Sequence, residues 1–228
     1  VIIVLTNDDG IDAPGLAALL AATEGLGERL LVAPETEASG CSHAVTTHKP
    51  IRIDRRGADR VAVSGTPADC VRVALDYVAP EATWVMAGIN AGGNLGTDIH
   101  HSGTVAAARE AVLHGRPAVA VSHYRKRGLE FDWAAAAAWV APLLRSLTAD
   151  LPPPGVFWNI NLPHLEPGAP PPEVVFCRPD PAPLPLSFRC EGDSLHYNGV
   201  YQQRRRSPGF DVDICFGGKI AVSELRLF

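Results

Sequence analysis

VIIVLTNDDG, residues Val1 to Gly10, decides how the fold is read. Val1 to Leu5 is an unbroken β-branched and aliphatic run, which fits a strand buried on both faces, as in a parallel sheet covered by helices. Thr6-Asn7-Asp8-Asp9-Gly10 ends it in turn chemistry. Pro14 then stands where a first helical turn tolerates proline, an Ala/Leu-rich helix is predicted to about Thr23, and Arg29 to Ala33 reads as a second strand. Strand, loop, helix and strand within about 33 residues make the unit of a doubly wound α/β fold.

The pattern continues outward from that unit. Pro34 to Lys49, rich in Ser, Thr, Gly and His, suggests an ordered loop with a short β-hairpin. Ile51 to Ile53 and Val61 to Val63 are short strand candidates. Thr66 is placed to cap a helix opening at Pro67 and running to about Tyr77. Thr83 to Ala87 is another buried strand, followed by a glycine-rich loop from Gly88 to His101. A helix over Gly103 to His114, a strand over Ala118 to Val121 and a helix capped by Asp132 and reaching about Leu147 follow.

Beyond Asp150 the texture changes to proline-dense connections around strand-like pieces: Val156 to Ile160, Val174 to Phe176 and Ile220 to Leu227. Residues 1–163 read as a Rossmann-like core, a three-layer sandwich around a mostly parallel sheet. Residues 164–228 read as a C-terminal extension of hairpins or edges suited to assembly, or as part of one domain spanning 1–228. Prolines resist packing into central strands, and unpaired edges invite pairing with a second chain, so a homodimer or homotetramer is expected.

Composition narrows the function classes. The 228 residues are 46% hydrophobic and 20% charged, with a formal net charge of −5. That balance argues against binding a nucleic-acid duplex, whose affinity rests on a basic surface. No run reaches the roughly 18 apolar residues needed to cross a bilayer, so no membrane partner is expected. The first residues lack a basic region and a cleavage site, which makes a cytoplasmic protein the default expectation. The five cysteines show no metal spacing and read as thiols in a reduced compartment. Arg204-Arg205-Arg206 reads as a solvated loop, with contact to a phosphorylated ligand or another subunit as the second reading.

Three constellations carry chemistry. Asp8 and Asp9 follow the first strand, where open α/β sheets collect ligands. Adjacent carboxylates repel unless a proton or cation intervenes, and a hard divalent ion such as Mg²⁺ or Mn²⁺ would compensate them through oxygen ligands; a turn with helix-capping aspartates is the alternative. Ser39-Gly40 lies in the loop after the second strand, either as an oxygen donor to the same ion or as a plain loop. Gly88-Ile89-Asn90-Ala91-Gly92-Gly93-Asn94-Leu95-Gly96-Thr97-Asp98, then Ser102-Gly103-Thr104, leads from a strand into a helix. Asn90 can offer an amide oxygen to a metal, Asn94 can donate to a phosphoryl oxygen, and the helix N-terminus with its hydroxyls suits a phosphate. Neither GxGxxG nor GxxxxGK[ST] is present; a capped glycine-rich turn is the bland alternative.

Taken together, TNDDG (Thr6 to Gly10), Ser39-Gly40, GTPADCV (Gly65 to Val71), GINAGGNLGTD (Gly88 to Asp98) and HSGTVAAAREA (His101 to Ala111) resemble the SurE family of stationary-phase survival proteins with 5′-nucleotidase activity. The resemblance continues through GRPAVAVS (Gly115 to Ser122) and NINLP (Asn159 to Pro163) to GFDVDICFGGKIAVSEL (Gly209 to Leu225).

The resemblance implies one divalent cation per subunit, held by Asp8, Asp9, Ser39 and Asn90, and a phosphate on Asn94, Ser102, Gly103 and Thr104. It also implies a Rossmann-like core with a C-terminal oligomerisation arm. The expected reaction is metal-dependent hydrolysis of nucleoside 5′-monophosphates, with Asp8 and Asp9 as the catalytic carboxylates. A broader 5′/3′-nucleotidase and exopolyphosphatase, or a non-catalytic nucleotide-binding module, are the rival expectations. Two departures stand out: His101, beside His100, replaces the family's common Tyr before SGT, and Gly209-Phe210-Asp211 replaces its GTD.

Overall fold

The structure, a computed structural model, describes residues 1–228. Its strands are β1 (Ile2–Thr6), β2 (Glu28–Pro34), β3 (Ile53–Arg55), β4 (Arg60–Val63), β5 (Trp84–Asn90), β6 (Ala118–His123), β7 (Val156–Leu162), β8 (Val174–Phe176), β9 (Phe188–Glu191), β10 (Ser194–Tyr197) and β11 (Ile220–Arg226). Its α-helices are α1 (Pro14–Ala22), α2 (Pro67–Val73), α3 (Gly103–Leu113), α4 (Trp133–Leu147) and α5 (Asp211–Phe216).

Nine strands form one sheet in the order β3-β4-β2-β1-β5-β6-β7-β11-β8. Pairing is parallel from β4 through β7 and antiparallel where β3 meets β4 and where β11 meets β7. The continuous hydrophobic run of β1 has the cause read from the sequence. Ile3 and Leu5 point into the layer with α1 and α4, while Val4 points into the layer with α2 and α3. Three layers result, as expected.

β1 lies between β2 and β5, so the connections leaving its two sides diverge and open a crevice at its carboxyl end. Helix starts are well specified there. Thr66 and Asp69 form a reciprocal capping box for α2, and Asp132 caps α4. Gly15 permits α1 to approach β5, because a Cβ at that position would lie 1.9 Å from the Ile89 carbonyl oxygen.

Three expectations need correction. No hairpin forms within residues 34–49; the local hairpin is β3–β4, and the preceding segment is held through Asp69, which accepts from the Thr46 N–H and hydroxyl at 2.8 and 2.7 Å. The Ile220 segment is not an edge: β11 is paired on both sides, its apolar residues are buried, and β8 beyond it is the edge strand on that side. Arg204 is not solvated; it is 3% exposed and ion-paired, while Arg205 and Arg206 are exposed as expected.

Candidate functional site

The aspartate turn at the end of β1 is built by Asn7. Its amide nitrogen donates to the Gly10 carbonyl at 2.8 Å and its Oδ1 accepts the Gly10 N–H at 3.2 Å, an enclosed bracket that closes the turn and presents the next two residues. Gly10 has φ +104°, a conformation natural to glycine.

Three other segments are fastened to this turn. The Ala38 N–H donates to the Asp8 carbonyl at 2.8 Å, bringing Ser39 alongside. The Ala91 N–H donates to Asp9 Oδ2 at 2.9 Å, fixing the loop that carries Asn90. The Thr104 hydroxyl donates to Asp8 Oδ1 from the first turn of α3. Gly103 makes that approach feasible, since a Cβ there would meet Asp8 Cβ at 2.9 Å. Ser42 in turn ties the second loop to the segment before α3, through its N–H to the His101 carbonyl and its hydroxyl to the His100 carbonyl.

A cavity of about 440 Å³ opens between these segments, and six of the eight sequence-predicted residues line it: Asp8, Asp9, Ser39, Asn90, Asn94 and Ser102. Gly103 and Thr104 stand behind its wall. Thr104 is fully buried, and its hydroxyl is spent on Asp8, where the sequence suggested a phosphoryl oxygen. Ser102 caps α3 by accepting the Val105 N–H at 3.0 Å, which leaves its O–H able to donate. The first N–H of α3, on Gly103, has no intrahelical acceptor by construction.

Acidic side chains dominate the cavity. Asp8, Asp9, Glu37 and Asp98 line it against one arginine, Arg125, and neither Asp8 nor Asp9 takes part in an ion pair. Burial pushes the Asp8 carboxyl up to about 6, helped by the charge of Asp9 and opposed by the hydrogen bond from Thr104. Burial also raises Asp9, opposed by the Ala91 N–H and reinforced by Glu37. The Asn90 amide nitrogen donates to the Gly92 carbonyl at 2.9 Å, so its oxygen is the atom left to bind a cation. Two carboxylates with a hydroxyl and an amide oxygen are a hard, all-oxygen donor set; neither here nor elsewhere do three or more His, Cys, Asp or Glu side chains group to hold a metal ion.

Several supporting residues escaped the sequence reading. Asn161 Oδ1 accepts the Asn94 N–H at 2.8 Å, Asn159 and Asn161 donate to the Asn94 carbonyl, and the Asn94 amide donates to Ser122 Oγ at 2.7 Å. Their signal was the NINLP motif, whose two asparagines share one face of a strand end. Asp98 Oδ2 accepts from Tyr201 and Arg204, each at 2.6 Å, and Asp211 accepts the Gly96 N–H at 2.7 Å. Nothing local in the sequence announces pairs separated by more than a hundred residues.

Known proteins share this sequence and this fold. Residues 3–179 match the family model described as Survival protein SurE. The chain is 52% identical over 225 residues to a protein of Nostoc sp., covering 99% of each. It is 46% identical over 164 residues to the 5′-nucleotidase SurE of Geotalea uraniireducens, covering 72% of this chain and 66% of that one. The crystal structure of SurE from Aquifex aeolicus superposes with a TM-score of 0.86 at 26% identity, covering 100% of this chain and 94% of that one.

Proposed function

This chain belongs to the SurE family, and from that premise we propose that it is a phosphatase acting on nucleoside 5′-monophosphates with one divalent cation, Mg²⁺ or Mn²⁺, per subunit. The observation that carries the reading is the pair Asp8 and Asp9, without a cationic partner, lining one cavity with Ser102 beside the N-terminus of α3 at the carboxyl end of β1. A phosphate dianion has little reason to enter a space lined by four carboxylates unless a cation is there first.

Asp8, Asp9, Ser39 and Asn90 would hold the ion. When bound, such an ion neutralises phosphoryl oxygens and acidifies a water. The chain's own groups do the positioning. Thr104 donates to Asp8, favouring its ionised form and fixing its orientation. The Asn94 amide, the Ser102 hydroxyl and the free N–H at the start of α3 offer donors to phosphoryl oxygens, while the helix dipole favours their negative charge. Asp8 and Asp9 are the carboxylates within the cavity to which an attacking water can pass its proton.

The test is phosphate release from 5′-AMP, 3′-AMP and tripolyphosphate, measured with EDTA and after restoring Mn²⁺ or Mg²⁺. Metal-dependent release, greatest from 5′-AMP, is the expected result. Release unaffected by EDTA, or none from any substrate, would remove the proposal.

A further inference from the structure

A second cavity, of about 610 Å³, opens next to the first. We propose that it receives the nucleobase of the substrate, with Tyr124 and Tyr201 as its aromatic wall, Gly92 and Gly93 as its floor and Arg125 at the junction. The proposal rests on the nucleotidase reading above and adds the part of the molecule that would distinguish a nucleotide from any other phosphomonoester.

Continuity is the first argument. Arg125 borders both cavities, and the chain passes from Asn90-Ala91 in the wall of one directly to Gly92-Gly93 in the wall of the other. Tyr201 spans the same boundary: it lines the second cavity, and its hydroxyl donates at 2.6 Å to Asp98, which lines the first. A ligand whose phosphate lies against α3 would extend through this opening. Both volumes fall within the roughly 300–1,000 Å³ usual for small-molecule sites.

The glycine floor is the second. Neither Gly92 nor Gly93 has a positive φ. A Cβ at Gly93 would make ordinary contacts with Leu95 Cδ1 at 3.4 Å, the Tyr201 hydroxyl at 3.5 Å and Tyr124 Cα at 3.6 Å, and one at Gly92 would meet only the Asn90 amide at 3.4 Å. Backbone conformation and packing therefore do not demand glycine at either position, in contrast to Gly15 or Gly103. With no side chains there, the backbone itself forms that part of the cavity wall, beside Tyr124 and Tyr201.

The wall is built of aromatic rings packed on one another. Tyr124 stacks on Phe216 with centroids 4.4 Å apart and lies 6.4 Å from Tyr201 at an interplanar angle of 28°. Arg125 packs over Phe131, 5.6 Å from its centroid. Gln202 at the rim supplies both a donor and an acceptor for base edges. A polyphosphate chain would use none of the aromatic surface.

Two measurements separate this proposal from the reading beneath it. Hydrolysis of AMP and of ribose 5-phosphate is compared in the wild type, Tyr201→Phe and Tyr201→Leu, and adenosine binding to the same three proteins is followed by calorimetry. Both substitutions lose the bond to Asp98, so their difference reports the ring alone. The expected result is a preference for AMP that survives Tyr201→Phe and falls about tenfold in Tyr201→Leu, the scale of base–aromatic stacking, with adenosine affinity falling in parallel. Adenosine that fails to bind the wild type at millimolar concentration, or binds Tyr201→Leu as well as Tyr201→Phe, overturns the base pocket even if AMP is hydrolysed. Ring-dependent adenosine binding without phosphate release from any monoester leaves the pocket standing and overturns the phosphatase. The calorimetry on the wild type decides the matter even if Tyr201→Leu does not fold.

Discussion

Asp211, at the start of α5, accepts the Gly96 N–H at 2.7 Å, binding the last quarter of the chain to the loop that carries Asn90 and Asn94. The same carboxylate accepts the Asp180 and Val212 N–H groups, each at 2.8 Å, and is fully buried. Asp211→Ala strands three buried donors, each worth about 1–3 kcal/mol when left unpaired. We expect a loss of at least about 3 kcal/mol in stability, together with faster amide exchange at residues 94–98. Unchanged exchange in that loop, in a variant that still folds, would show that the C-terminal segment does not brace the site.

Removing one carboxylate tests the metal site itself. Asp8→Asn and Asp9→Asn each withdraw a negative charge from a set that holds only two, so Mn²⁺ affinity and turnover should each fall roughly a hundredfold or more. Calorimetry with Mn²⁺ reads the first quantity independently of the second. Near-normal binding by both variants would contradict the proposed ligands.

Thr104 distinguishes the structural assignment from the one the motif suggests. Because its hydroxyl donates to Asp8, Thr104→Val should weaken Mn²⁺ binding about 10–100-fold, the usual cost of losing a group that orients a metal ligand. Thr104→Ser should restore it. If Mn²⁺ binding stayed constant while inhibition by vanadate weakened, the hydroxyl would be a phosphoryl contact as the Ser-Gly-Thr pattern implies.

Sequence reading reached the layers of this fold and six of the residues that line the candidate cavity because both rest on local signals. The run Ile2–Leu5 needs cover on both faces, Thr66 and Asp132 lie at the beginnings of apolar periodic segments, and the three site loops each follow a strand. The roles within the loops were less accessible. Thr104 is two residues inside a helix whose orientation toward Asp8 depends on the packing of α3, so its partner had no local trace. Arg204 shares its tripeptide with two solvated arginines, and only a fold that returns this segment to Asp98 across more than a hundred residues separates it from them. β11 was misplaced at an edge for a related reason: the prolines belong to the connections around it, not to the strand.

His123 gives a pH dependence unrelated to catalysis. Burial lowers its imidazole from the ordinary 6.5 to about 4; its Nδ1–H donates to the Tyr124 carbonyl and its ring is packed among Phe131, Trp133, Trp139 and His164. The unfolded chain therefore binds the proton more readily than the folded one. Stability is fully present above pH 6.5 and is lost as pH falls toward 4, by on the order of 3 kcal/mol. Urea midpoints at pH 7 and pH 5 should diverge in the wild type and converge in His123→Gln, whatever that variant's absolute stability. Parallel pH slopes in the two proteins would show that another group sets the acid limit.

The hairpin of β9 and β10 stands outside the main sheet, and all eight of its residues are exposed. Its register puts Phe188 opposite Tyr197 and Cys190 opposite Leu195, so these four side chains share one apolar face, while Arg189, Glu191, Ser194 and His196 take the other. A two-stranded ribbon is marginal in water without something to cover such a face. Leu186, 89% exposed at its base, enlarges the uncovered area. A second copy of the chain is the proposed cover, in a homodimer or homotetramer. Light scattering should then give a mass that is a multiple of 24.2 kDa for the native protein, and Leu195→Glu should shift it toward the monomer by placing a charge at the centre of the face. Leu195 does not line the cavity beside Asp8, so metal binding serves as the control for folding. A native protein that elutes as a monomer at micromolar concentration would leave the hairpin without this role.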